Sequence, residues 1–377
     1  MSDVVIVGAA ESEQLGVIPD QSAMTLATGP VLAALKQAGL SLADVDGIAG
    51  TLPVIDLAFT LGIQPRWLDG TMVGGCSYML HVRHAVAAIR SGMASVVVIA
   101  HGESGRSRVG APGWVPDRSS MPGQFELPYG GSGTFSRFTL PAMAYLDAYG
   151  LGEADLAEVS VAQSRWANRT PRATRPDLLT VDDVLASKLI AWPFHILECC
   201  PLNDGGGALV LTSAERAADL DLAHAPILVA GTGEASEGPS APFMEDLTSF
   251  RGFRQSAAEA FRTAGISHAD VDHLMVYDAY AHVPLYGLED LGFVGRGQAV
   301  DFIRSGATSP GGTLPMNTNG GGLLYAHTGM YGMFALQEAV RQLQGRAGAQ
   351  VENVRTSFVQ GIGGMFGAAG AVVLQRQ

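Results

Sequence analysis

One stretch of this chain is written twice. Ala38-Gly-Leu-Ser-Leu-Ala-Asp-Val-Asp46 returns as Ala264-Gly-Ile-Ser-His-Ala-Asp-Val-Asp272, each copy lying between a helical apolar period and a β-branched strand pattern. Other echoes keep the same order. Val4-Val-Ile-Val7 is matched by Ile227-Leu-Val-Ala230, and Ser95 to Ala100 by Ser357 to Gly361. The Gly74-Gly-Cys76 turn and the helix after it are matched by the turn over 320–332 and its helix. A repeated strand–helix–strand order predicts two βαβ halves about a pseudo-twofold axis, with the two glycine-containing turns brought towards one cleft.

The chain has 377 residues, enough for two domains or one large α/β unit, and 47% of them are apolar, which excludes a disordered chain. A net charge of −13 argues against a general nucleic-acid binder, which needs a basic face. The N-terminal Met-Ser-Asp-Val-Val-Ile-Val-Gly has no basic leader, and no apolar run reaches membrane-spanning length. The cysteines are Cys76, Cys199 and Cys200, an odd number that fits neither a disulfide framework nor a zinc site. A soluble cytoplasmic protein is the expectation, with no nucleic-acid or membrane partner.

The second glycine-containing turn concentrates the chemistry. Asn317-Thr-Asn-Gly-Gly-Gly-Leu-Leu-Tyr-Ala-His-Thr-Gly-Met-Tyr-Gly332 runs into an apolar-periodic helix over 333–343. Its glycines permit close approach of a ligand to the backbone, and His327 lies between Tyr325 and Tyr331 just before a helix N-terminus suited to an anion. Residues 102–140 read as a long functional loop rich in Gly, Pro, Ser and Arg, with Trp114, Phe125, Tyr129 and Phe135 interspersed. Helical patterning resumes over 141–148 and 153–167. Asn203-Asp-Gly-Gly-Gly207 precedes a strand at 208–211.

With these features the chain resembles the thiolase superfamily. His327 matches the histidine of the thiolase Gly-His-Pro motif, with Ala326 and Thr328 as its neighbours, and Gly361-Ile-Gly-Gly364 matches the last Cys-x-Gly-Gly motif with glycine in place of cysteine. Tyr277-Asp-Ala-Tyr280, Leu288-Glu-Asp-Leu-Gly-Phe293 and Asn203-Asp-Gly-Gly206 are similar to the sterol carrier protein-x branch and its bacterial lipid-transfer-protein-like members. The resemblance implies an α/β thiolase fold with layered α-β-α-β-α order. It divides the chain into an N-terminal half (1–101 with 195–222), an inserted loop domain (102–194) and a C-terminal half (223–377).

Several members of that branch are side-chain aldolases that split a β-hydroxyacyl-CoA, and a degradative thiolase is the alternative. A thiolase needs a nucleophilic thiolate at a helix N-terminus and a second cysteine as acid/base. Gly361 occupies the second position, and counting back from Ser91-Gly92 puts the first on Gly75, one residue before Cys76. The expected chemistry is a retro-aldol cleavage, with His327 donating to the thioester oxygen and Tyr280 and Tyr331 as the proton-transfer pair. Tyr325, Asp278, Gly321 and Gly363 are expected to bind substrate, and Cys199 and Cys200 to serve packing. The resemblance further implies a homodimer core, a small OB-fold/zinc-ribbon partner completing a heterotetramer, zinc in that partner alone, and CoA thioester as substrate rather than bound cofactor. Two other readings stand beside this one: an acyltransferase using Cys76, and a non-catalytic lipid-binding or scaffold protein, which would have no need of the tyrosine cluster.

Overall fold

A computed structural model of the protein describes residues 3–110, 117–131 and 133–377; Trp114 lies outside the described residues. The strands are β1 (Val4–Glu11), β2 (Gly47–Gly50), β3 (Trp67–Asp69), β4 (Val96–Ser104), β5 (Leu189–Ala191), β6 (Phe194–His195), β7 (Asp204–Ser213), β8 (Ile227–Ser236), β9 (His273–Val276), β10 (Thr356–Gly363) and β11 (Ala368–Arg376). The helices that position the site are α1 (Ala23–Gln37), α2 (Ser77–Arg90), α3 (Thr134–Tyr149), α4 (Glu153–Ala167), α5 (Arg251–Ala264), α6 (Val283–Asp290) and α7 (Gly332–Leu343).

The duplication is visible strand by strand. A nine-stranded sheet runs β3-β2-β4-β7-β1-β8-β11-β10-β9, so the order β2-β4-β7-β1 of the first half recurs as β9-β10-β11-β8 in the second. β2 is parallel to β4 as β9 is to β10, and the remaining pairs within each half are antiparallel apart from the β2–β3 edge. The two halves meet where Val5 pairs with Leu228 and Ile6 with Ile227. Alternate residues of β4 feed opposite cores: Val96, Val98 and Ala100 pack towards α1, while Val97 and Ile99 pack towards the central helices. α1 covers the outer face of the first half and α5 that of the second, whereas α2 and α7 touch strands of both. The layers are therefore α-β-α-β-α, the thiolase fold.

The twice-written segment recurs because it solves the same backbone problem twice. In the first copy Ser41 N–H donates to Asp44 Oδ2 (2.9 Å), and Asp46 Oδ1 accepts the N–H groups of Ser95 and Val96 at 2.8 and 2.9 Å. In the second, Ser267 N–H donates to Asp270 Oδ2 (2.8 Å), and Asp272 Oδ2 accepts from Arg355 and Thr356 at 2.9 and 3.0 Å. Each aspartate thus satisfies backbone donors at the start of the neighbouring strand, which would otherwise be left unpaired.

Several boundaries differ from the sequence reading. Asn203-Asp-Gly-Gly-Gly207 does not merely precede its strand: β7 begins at Asp204, because these glycines allow close approach of neighbouring chains. A Cβ on Gly206 would stand 2.1 Å from the carbonyl oxygen of Leu26 in α1. Residues 102–140 are not one long loop. β4 extends to Ser104, a short helix spans Met121–Phe125, and α3 starts at Thr134 and carries Pro141 within it. Among the described residues no helix is long and apolar enough to cross a membrane.

An ionic clamp ties the edge of the first half to the second. His84 on α2 hydrogen-bonds Asp69 of β3 through Nδ1 (2.7 Å) and Glu234 of β8 through Nε2 (3.1 Å), and these two carboxylates raise its pKa to about 9. A histidine with a raised folded pKa stabilises fully below its unfolded value and loses that contribution as pH rises through the folded one. The buried carboxyls of Glu103, Asp278 and Glu198, each pushed up to about 7 by burial, lower stability as pH rises from the ordinary carboxylate range to about 8 and add little slope above that. Above the carboxyl window, unfolding free energy should therefore fall by about 1 kcal/mol between about pH 8 and 9.5, and His84→Gln should remove most of that slope. Urea titrations across that range provide the check.

Candidate active site

A cavity of about 300 Å³ opens where the two glycine-containing turns meet. Gly74 and Gly75 line it from the first turn, Gly363 and Gly364 from the end of β10, and Tyr277, Tyr280 and His327 from the second half. Thr134 and Phe138 of α3 form another wall. Cys200, read from sequence as a packing residue, also lines the cavity; its N–H is pinned to Ala279 O (3.0 Å), and burial pushes its thiol up. No sequence period marks Cys200, since its position depends on a loop crossing from the first half.

The centre of the site is Tyr277, which the sequence reading quoted within its motif without assigning it a role. Chain direction changes after Val276, the last residue of β9, and Tyr277 N–H is held by Gln360 O (3.1 Å) of β10. Its phenol oxygen receives the backbone N–H of Tyr331 at 3.0 Å and lies 2.9 Å from His327 Nε2. Gly329 N–H donates to His327 Nδ1 (3.3 Å), so Nδ1 is the acceptor and Nε2 carries the proton. Burial lowers the His327 pKa to about 4, keeping the ring neutral. The Tyr277 oxygen therefore accepts from Tyr331 N–H and His327 Nε2–H, leaving its own hydroxyl hydrogen for the cavity. Burial drives its pKa well up, and the Tyr331 N–H opposes that shift. Tyr277 is a phenol at neutral pH, and two N–H groups are in place to hold the phenolate formed when it gives up its proton.

Gly75 makes room for this phenol. A Cβ there would stand 2.2 Å from Tyr277 Cε2 and 2.5 Å from its oxygen. The position to which the thiolase resemblance assigns the nucleophilic cysteine thus has no side chain, and a tyrosine hydroxyl from the other half fills the space. Cys76 is fully buried at the start of α2, close beneath Gly361 and Gly363, and burial pushes its thiol up to about 12. It is not among the cavity walls, and its thiol stays protonated at neutral pH.

The other predicted site residues divide. Tyr280 lines the cavity with its hydroxyl 3.3 Å from Thr134 Oγ1, and Gly363 lines it with bare backbone. Tyr331 contributes its N–H, but its phenol is fully buried and donates to Asn319 Oδ1 (2.8 Å). Tyr325 is directed elsewhere, donating to Glu11 Oε2 (2.6 Å) beside Arg341. Asp278 is wholly buried behind the cavity, where it accepts from Gly322 N–H, Leu323 N–H and Gln163 Nε2 at 2.6, 3.1 and 2.8 Å. Gly321 packs under that carboxylate, 2.1 Å from where its Cβ would be. Asp278 and Gly321 fix the 317–332 turn from behind and do not face the cavity. Behind His327, Thr328 Oγ1 donates to Glu103 Oε2 (2.8 Å) and accepts from His101 Nε2 (2.9 Å), and His101 Nδ1 in turn meets the Tyr78 hydroxyl.

The layered halves and the glycine-walled cavity between them define a protein of the thiolase class. Residues 233–376 match the family described as thiolase C-terminal domain-like. The chain is 32% identical to a steroid side-chain-cleaving aldolase of Thermomonospora curvata over 90% of each chain. It is 33% identical to a 17-hydroxy-3-oxo-4-pregnene-20-carboxyl-CoA lyase of Mycobacterium tuberculosis, covering 90% of this chain and 91% of that one. Among solved structures it superposes on a chain of an Ltp2-ChsH2(DUF35) aldolase with a TM-score of 0.90 and 30% identity, covering 99% and 98% of the two chains. The chain belongs to the thiolase superfamily and, within it, to the side-chain-cleaving aldolases: it is a carbon–carbon lyase of the thiolase fold.

Proposed function

We propose that the protein cleaves the side chain of a steroid-like β-hydroxyacyl-CoA by a retro-aldol reaction, releasing a ketone and a shortened acyl-CoA. The observation that carries this reading is the Tyr277 phenol standing beside Gly75, in the space a thiolase gives to its nucleophile. In the cleavage the Cα–Cβ bond breaks, its electron pair is protonated at Cα, and the β-hydroxyl loses its proton to become the ketone. Tyr277 supplies the proton to Cα and recovers one from the β-hydroxyl, so the cycle is proton-neutral and needs no cysteine. His327 acts through Tyr277, orienting its oxygen and sharing the charge that develops there, while Tyr280 orients the β-hydroxyl from the opposite wall. This reassigns the proton-transfer role expected of Tyr331, whose backbone N–H serves the site instead. Glycines 74, 75, 363 and 364 let the thioester arm lie close to the backbone.

In this reading the protein acts in the cytoplasm on a CoA thioester, with residues 102–194 as an insertion between the two parts of the first half, 1–101 and 195–222, and 223–377 as the second half. The aldolase on which the chain superposes joins Ltp2 to a second component, ChsH2(DUF35). By analogy, a small OB-fold/zinc-ribbon partner, holding any zinc, joins a homodimer of this chain in a heterotetramer.

The test is product analysis with the partner present, using an acyl-CoA that carries a tertiary β-hydroxyl. The proposal requires equimolar ketone and shortened acyl-CoA without free CoA, and Cys76→Ala should stay within about twofold of wild type, since this thiol is a buried packing group. A requirement for free CoA, or an acyl group on Cys76, would make the protein a thiolase.

A further inference from the structure

Behind the cavity lies a buried imidazole that the mechanism does not use. His282 is 1% exposed, and among the described residues neither of its ring nitrogens has a hydrogen-bond partner. Burial without a partner pushes its pKa down to about 3, so the ring is neutral. Phe194, Phe138, Tyr286 and Phe366 surround it with centroid separations of 5.2, 5.5, 5.7 and 5.8 Å, and Tyr280 lies at 6.5 Å. Two of these rings, Phe138 and Tyr280, are themselves walls of the cavity. A fully buried polar ring among aromatics costs stability, and such an exception calls for a reason.

A second observation falls on the same wall. Gly364, Met365 and Phe366 have φ values of +60°, +56° and +68°, so two consecutive non-glycine residues hold a left-handed backbone. This conformation is unfavourable for side chains with a Cβ, and it clusters at ligand clamps and switch regions. Met365 lines the cavity, and Phe366 covers His282. The cavity, at about 300 Å³, is at the small end of the range for ligand sites. On the opposite side Gly75 and Tyr277 are already in close contact and leave no slack.

Resting on the aldolase reading above, we propose that the aromatic box around His282 is the far end of the acyl site. It opens as Phe138 and Phe366 turn aside, and neutral His282 then hydrogen-bonds a ketone or hydroxyl on a rigid polycyclic acyl group. The Tyr286 hydroxyl is taken by Pro141 O and that of Tyr280 lies beside Thr134 Oγ1, so the neutral His282 ring is the polar group left to meet a ligand, and the box selects an uncharged oxygen and disfavours a carboxylate.

The test is equilibrium binding, which needs no turnover. Androst-4-ene-3,17-dione and its 3-deoxy analogue are titrated by calorimetry into the protein with its partner. Wild type should prefer the dione by about tenfold or more, as a site built to hydrogen-bond a ligand oxygen discriminates against its absence. His282→Phe should bind both ligands alike with a melting temperature no lower than wild type, because an apolar ring replaces an unpartnered polar one. His282→Gln, which keeps a donor and an acceptor, should retain part of the preference. An equal preference in wild type and His282→Phe, or none in wild type, overturns the proposal. Absence of thioester cleavage by wild type would instead sink the aldolase reading and leave the binding result to be judged by itself.

Discussion

Tyr277→Phe should lower kcat by about 10²- to 10⁴-fold while leaving KM within a few-fold, the pattern of a lost proton-transfer group whose ring still packs. The phenylalanine ring keeps its place beside Gly75, so the cavity retains its shape. What disappears is the hydroxyl that both Tyr331 N–H and His327 serve. Steady-state kinetics with a tertiary β-hydroxyacyl-CoA measure the split directly. A rise in KM with unchanged kcat would make Tyr277 a binding residue and leave the proton transfer to another group.

Gly75→Ala should be nearly as damaging although it adds a single methyl group. The new carbon would overlap Tyr277 Cε2 at 2.2 Å and its oxygen at 2.5 Å, so the phenol must leave the position set by its two N–H donors. Overpacking of this kind costs about 1–3 kcal/mol of stability. The expected loss in kcat/KM is at least about 100-fold, because a displaced catalytic group loses its alignment. The two substitutions act through one group, so Gly75→Ala should add little further loss in a Tyr277→Phe background. Independent, multiplicative losses in the double variant would show that Gly75 works by some route other than Tyr277.

Much of the fold was legible because the duplicated segment performs a backbone task. Ser41, Asp44 and Asp46, and again Ser267, Asp270 and Asp272, satisfy donors that any such helix–strand junction leaves open, so their spacing is retained in both copies. Limits set by tertiary contact were not legible. The glycines of β7 resemble a turn until α1 is seen against them, and the start of α3 is masked by residues that favour loops. His327 and the glycines of both turns could be located from their local pattern. Which tyrosine hydroxyl faces the cavity could not, because it depends on partners distant in sequence: Asn319 takes Tyr331, Glu11 takes Tyr325, and the space at Gly75 receives Tyr277. The absent side chain at Gly75 was the one sequence signal for Tyr277. Reading it required the fold.

In the proposed mechanism, carbon–carbon cleavage by proton transfer, with no covalent enzyme intermediate, sets this site apart from that of a thiolase. Mass spectrometry of product and protein after turnover in D₂O, with the partner present, tests it without recourse to variants. One deuterium on Cα of the shortened acyl-CoA, a ketone in equal amount and a protein of unchanged mass are the expected result. An acyl adduct on Cys76 or Cys200, or a shortened acyl-CoA formed only when free CoA is supplied, would contradict it.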